Sequence, residues 1–179
     1  MSAYDVQAAH SGDVDYRLAA DSFVTLFHDP AILTRTVAWL REHGYRVVTV
    51  DASEWRSEAD LHDGLARALE FPDYYGANLD ALNDCLRDIA DGRSTVDHDA
   101  TGLVLALLAY DTVAATHPLL AHAVLDVFAL RARGAALIGR RMLCLVQSRD
   151  PGIRFDPVGA TPVLWNDAEW LDAKRRSSS

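Results

Sequence analysis

The sequence predicts an α/β domain built on a parallel sheet. Short apolar runs rich in branched residues alternate with helical stripes along the chain, which is the pattern of strands covered by helices. Successive strand candidates are separated by helical segments too long for hairpins, so the strands pair in parallel through crossovers. The chain has 179 residues, half of them apolar and 24% charged, enough for one domain with a real core and incompatible with global disorder. A three-stranded parallel sheet is expected over residues 46–148. An extra N-terminal strand and helix in residues 21–45 extend it, and residues 149–170 wrap over it. Residues 1–20 and 171–179 lack apolar periodicity and are expected to be mobile tails around a single domain at 21–170.

Taken in order, residues 23–27 form the first strand candidate, placed at a sheet edge. A helix follows Asp29, with Pro30 at its first position, where the missing N–H costs nothing, and ends at Gly44. The second strand spans 46–50. Ser57 can cap a helix that runs to about Glu70, after which Pro72 and Gly76 interrupt the chain. The next helix covers 79–91, capped by Asn78 and closed by Gly92. A polar loop at 93–101 holds Asp97, His98 and Asp99. Strands at 103–110 and 143–147 flank a long helix that begins near Pro118 and ends by Gly134. The remaining stretch has three prolines and two tryptophans, with one short strand at 163–165.

The position of the charge says more than its total. The formal net charge is −9, and a chain of this sign repels phosphate backbones, which disfavours direct nucleic-acid binding. Residues 51–100 alone carry 13 acids against 4 bases, while the rest of the chain is balanced. One acidic surface with a basic partner is the natural reading. Two cysteines, Cys85 and Cys144, are too few for a disulfide framework and read as buried thiols. The first twenty residues contain no apolar stretch, and the longest apolar run is far short of the ~20 residues that span a bilayer, so a cytoplasmic protein is expected.

On the helix at 79–91, Leu79, Leu82, Cys85, Leu86 and Ile89 fall in one stripe at 100° per residue and are expected to be buried. Asp80, Asp84, Asp88 and Asp91 cluster on the opposite side, with Asn83 and Arg87 beside them. Acids near a helix N-terminus are favoured by the macrodipole, yet like charges four residues apart destabilise a helix by tenths of a kcal/mol each. Four of them cost stability unless a partner uses them. Asp80 and Asp84 lie one turn apart, about 6 Å, close to the spacing of successive phosphates, and can imitate a nucleic acid. All four acids are expected to be exposed on one surface with no Lys or Arg partner within reach, and an internal salt bridge to Asp84 would argue for a structural role instead. Tyr74 and Tyr75 just ahead have the amphipathic character of interface anchors, which core tyrosines share.

The run Phe71, Pro72, Asp73, Tyr74, Tyr75, Gly76, Ala77, Asn78, Leu79, Asp80, Ala81, Leu82, Asn83, Asp84, Cys85, Leu86 resembles the signature of the barstar family, the intracellular inhibitors of barnase-type ribonucleases. The order of elements over 46–148 is similar too. The resemblance implies a barstar-like fold and a segment that plugs the active site of a basic ribonuclease or related nuclease toxin, one to one, with carboxylates in place of substrate phosphates. It puts Tyr74, Tyr75, Gly76, Asn78, Leu79, Asp80, Asn83 and Asp84 on the inhibitory face, with Asp84 as the central carboxylate. Val127 on the long helix is the implied flanking contact. Two residues depart from the family pattern: Asn83 stands where the inhibitors carry an aromatic residue, and Leu130 where they carry an acid.

None of the usual catalytic motifs occurs: no G-x-S-x-G, P-loop, dinucleotide-binding fingerprint or H-E-x-x-H. No cofactor, metal site or enzymatic activity is expected. Two alternatives use the same residues: a barstar-like fold with a partner other than a ribonuclease, or a metal-binding enzyme using Asp80 and Asp84 as paired carboxylates.

Overall fold

The computed structural model describes residues 14–93 and 100–171. The Asp97, His98, Asp99 loop and most of the two expected tails lie outside the described residues. In chain order the elements are α1 (Val14–Asp21), β1 (Val24–Phe27), α2 (Pro30–Glu42), β2 (Arg46–Asp51), α3 (Glu58–Ala68), α4 (Leu79–Ala90), β3 (Leu103–Leu108), α5 (Asp111–Thr116), α6 (Pro118–Leu137), β4 (Met142–Gln147), β5 (Leu164–Trp165) and α7 (Asp167–Leu171).

The strands form one parallel sheet in the order β2-β3-β4-β1-β5. Val47 stands opposite Val104, Val104 opposite Leu143, and Val24 opposite Cys144. The pleat sends alternate residues to opposite faces. Leu103, Leu105 and Leu107 of β3 join the core beneath α3, α4 and α6, while Val104 and Ala106 join a second core beneath α1 and α2. Strands β3 and β4 therefore read as nearly continuous apolar runs, as expected of strands covered on both faces.

The sheet has five strands, the three expected over 46–148 continued by β1 and β5, and β1 is not the edge strand it was expected to be. It lies between β4 and β5, because the chain returns after Pro162 and pairs Leu164 and Trp165 with Thr25 and Leu26. All four residues of β1 are buried, as an internal parallel strand requires.

Residues 14–20, expected within a mobile tail, belong to α1. Leu18 is buried against the α2 side of the sheet. Asp15 Oδ2 accepts hydrogen bonds from Tyr45 Oη at 2.6 Å and Arg141 Nη1 at 2.7 Å. Those anchors are distant in sequence, so local periodicity carries no trace of them. The expected strand at 103–110 stops at Leu108 because Ala109 takes a left-handed conformation (φ 51°) and turns the chain into α5. Helix α6 runs past Gly134, whose missing side chain faces open space, and closes at Gly139 with φ 80°.

Local chemistry sets the helix starts as the sequence indicates. Asp29 caps α2 through the Ala31 N–H, Ser57 caps α3 through the Asp60 N–H, and Asn78 caps α4 through the Ala81 N–H. Helix α4 packs directly on α6, and the segment between α3 and α4 lies beside α3.

Candidate functional site

The segment joining α3 to α4 is held from below. Glu70 adopts φ 54° and ends α3, and Phe71 N–H bonds back to Ala66 O at 2.9 Å. The Phe71 and Tyr75 rings meet with centroids 4.9 Å apart. Tyr75 Oη and His62 Nδ1 share a short hydrogen bond. His62 is fully buried on α3, and its Nε2 lies 3.6 Å from Glu58 Oε1, too long for a hydrogen bond. Burial pushes the Tyr75 phenol above its ordinary value near 10.0 and keeps it neutral. Tyr75 is thus an anchor, with its hydroxyl committed inside the protein.

Tyr74 points the other way and is 83% exposed. Gly76, Ala77 and Asn78 are exposed as well. Ala77 sits at φ 47°, a left-handed conformation that costs a residue with a Cβ about 1 kcal/mol. Asn78 stabilises the turn with Oδ1, which accepts from Ala81 N–H at 2.8 Å, and with Nδ2, which donates to Gly76 O at 3.2 Å.

Along α4 the inward stripe is formed by Leu82, Cys85 and Leu86, all buried. Leu79 and Ile89 are only partly buried, against the margin of the core: Leu79 is in the first turn and Ile89 near the last. Asp80, Asp84 and Asp91 are exposed and Asp88 is half-buried. The expectation that these acids lack basic partners is overturned. Arg87 Nη2 lies 3.0 Å from Asp84 Oδ1, and Arg93 pairs with Asp91 at 3.1 Å and Asp88 at 3.6 Å. The spacing of Asp84 and Arg87 makes the first pair nearly automatic, since residues three apart share a helix face. Both partners are largely exposed, so the pair contributes at most about 1 kcal/mol. Asp80 has no ion-pair partner among the described residues.

Asn83 faces α6, where Arg131 Nε donates to Asn83 Oδ1 at 2.8 Å. Val127, one turn before Arg131, is half-buried against the core, and Leu130 is 48% exposed. The Asn83–Arg131 bond thus ties α4, which follows the Tyr74–Asn78 segment directly, to α6, the helix that carries Val127, and Tyr75 and Leu79 are turned partly inward. The sequence alone assigns no role to His62, Arg87 or Arg131. Arg87 is signalled by its spacing from Asp84, whereas the bonds of His62 and Arg131 join residues distant in sequence.

Further acids precede this region in the chain: Glu58, Asp60 and Asp63 on α3 and Asp73 just before Tyr74 are all exposed. Hydrogen bonds from the Arg56 backbone N–H and the Ser57 hydroxyl hold the Asp60 carboxyl below its usual range. Among the described residues no group of three His, Cys, Asp or Glu side chains could hold a metal ion, and no helix is long and apolar enough to cross a membrane.

The sequence model of a family described as "Barstar (barnase inhibitor)" matches residues 45–147. That span begins one residue before β2 and ends at the last residue of β4, so β1 and α2 precede it. A 41-residue stretch is 51% identical to "Putative ribonuclease inhibitor YrdF" of Bacillus subtilis (strain 168). It covers 23% of this chain and 45% of that relative, less than half its length. With more than half of its residues matched, this chain belongs to the barstar family.

Proposed function

We propose that the protein inhibits a ribonuclease of the barnase type, or a related nuclease toxin, by inserting the acidic face of α4 into a basic active site. The observation that carries this reading is the exposure of Asp80 and Asp84 on one face of α4, beside the exposed Tyr74, Gly76 and Asn78, in a chain of the barstar family. A nuclease active site is cationic because it holds phosphates, and carboxylates at phosphate-like spacing complement it. Asp84 is the central carboxylate and Asp80 supports it. Tyr74 supplies an aromatic contact, Tyr75 and Leu79 fix the segment from within, and Asn83 and Val127 flank the face. The complex is one to one, forms in the cytoplasm and needs no cofactor, and the protein performs no catalysis of its own.

Binding requires Asp84 to exchange Arg87 for a cation of the target. Exposed ion pairs are weak, so this exchange costs little. Affinity for barnase itself is expected to be poorer than for the cognate enzyme, since Asn83 and Leu130 replace an aromatic residue and an acid of the family pattern. The test is a titration of RNA cleavage by barnase and other basic ribonucleases against the purified chain. Stoichiometric loss of activity with an end point of one to one supports the reading, and undiminished cleavage across the set at micromolar protein contradicts it.

A further inference from the structure

The outward surface of α4 and α6 is not uniformly acidic. Where the two helices meet, Arg131 is half-buried and its guanidinium is oriented by the single bond from Nε to Asn83 Oδ1. A guanidinium has five N–H donors, and only this one has a partner among the described residues. Leu130 beside it is 48% exposed. Asn83 shares a helix face with Asp80, three residues earlier, and is followed by Asp84, so its bond to Arg131 sets a cation beside the acidic face. Resting on the inhibitor reading above, we propose that Arg131 is a specificity-determining residue that selects nucleases with a carboxylate at the rim of the basic active site.

Charge complementarity decides which active sites fit this face. A binding site lined by cations alone would meet Asp80 and Asp84 favourably but would set a like charge against Arg131. Like charges brought together at an interface are costly, and such a repulsive element is how related partners are told apart. A rim carboxylate turns the same residue into an attractive contact. The guanidinium matches a carboxylate with two parallel N–H donors, and its orientation by Asn83 reduces the entropy lost on pairing.

The test uses barnase and a panel of its variants, each with one neutral or basic rim residue replaced by Asp, and measures the inhibition constant for RNA cleavage. The inhibitors are the full wild-type chain, Arg131→Gln, Arg131→Lys and Asp84→Ala, each checked by thermal unfolding. At least one rim Asp should lower the inhibition constant of the wild-type chain about tenfold, a gain lost with Arg131→Gln and partly kept by Arg131→Lys. A purely structural role for Arg131 would change affinity for every panel member alike. Inhibition that depends on Asp84 but shows no coupling between Arg131 and any rim Asp overturns this proposal alone. Absence of inhibition by the wild-type chain across the panel overturns the inhibitor reading and this proposal with it.

Discussion

Arg87 Nη2 sits 3.0 Å from Asp84 Oδ1, one turn along the same helix, so the carboxylate proposed to enter a nuclease is already paired with a cation of its own chain. Both side chains are open to solvent, and the pair is a loose cover rather than part of the frame. Arg87→Ala is expected to change unfolding free energy by less than about 1 kcal/mol, measured by denaturant titration. The same variant leaves the acidic face more negative, so its association with a basic ribonuclease should be faster and more sensitive to salt in stopped-flow experiments. Slower association would show that Arg87 itself contacts the target.

Tyr75 and His62 tie the exposed segment to α3. Tyr75→Phe keeps the ring against Phe71 but removes the partner of a buried imidazole nitrogen, which is expected to cost about 1–3 kcal/mol. Chemical denaturation of the variant measures the loss. An unchanged midpoint would mean that the bond contributes nothing to the fold.

Ala77 offers a gain in the opposite direction. Its left-handed backbone favours glycine, so Ala77→Gly should relieve strain and leave the fold as stable or up to about 1 kcal/mol more stable, despite the added freedom of the unfolded chain. Asn78→Ala, which removes two hydrogen bonds from the same turn, should destabilise by about 1 kcal/mol through loss of the cap. Thermal unfolding should therefore move to lower temperature for Asn78→Ala and not for Ala77→Gly.

Alkaline pH probes the buried phenols. Burial raises Tyr45, Tyr75 and Tyr110 above their ordinary value of 10.0, so the folded state keeps them protonated when the unfolded chain would ionise. Their contribution is complete below about pH 10 and is lost as pH rises beyond it, because the unfolded state then releases protons the folded state retains. Circular dichroism and tyrosinate absorbance followed together from pH 8 upward should show ionisation of these residues coinciding with unfolding. Full tyrosinate absorbance near pH 10 with the fold intact would contradict it.

What local sequence encodes and what it does not divides cleanly along these lines. The cores of β2, β3 and β4 are apolar runs, and Asp29, Ser57 and Asn78 are side chains whose capping geometry is decided within three residues, so those elements are legible directly. Helix α1 is not, since its anchor is Asp15 reaching Tyr45 and Arg141 across the molecule. The same holds for β1, whose interior position depends on Leu164 and Trp165 returning beside it. At the site, the apolar stripe of α4 and the exposure of Asp80 and Asp84 follow from helical period. The inward commitment of Tyr75 and the Asn83–Arg131 bond arise from packing between elements, which no single segment announces.

The central claim is that the carboxylates of α4 are the groups that block a nuclease. It is tested most directly by the inhibition constants of Asp84→Ala, Asp80→Ala and their double variant against a ribonuclease that the wild-type chain inhibits. Removing one member of a desolvated charge pair strands the other, so Asp84→Ala should weaken inhibition by at least about 2 kcal/mol, mainly through faster dissociation, with a smaller loss for Asp80→Ala. Wild-type affinity in both single variants and in the double variant would contradict the account and move the binding face away from α4.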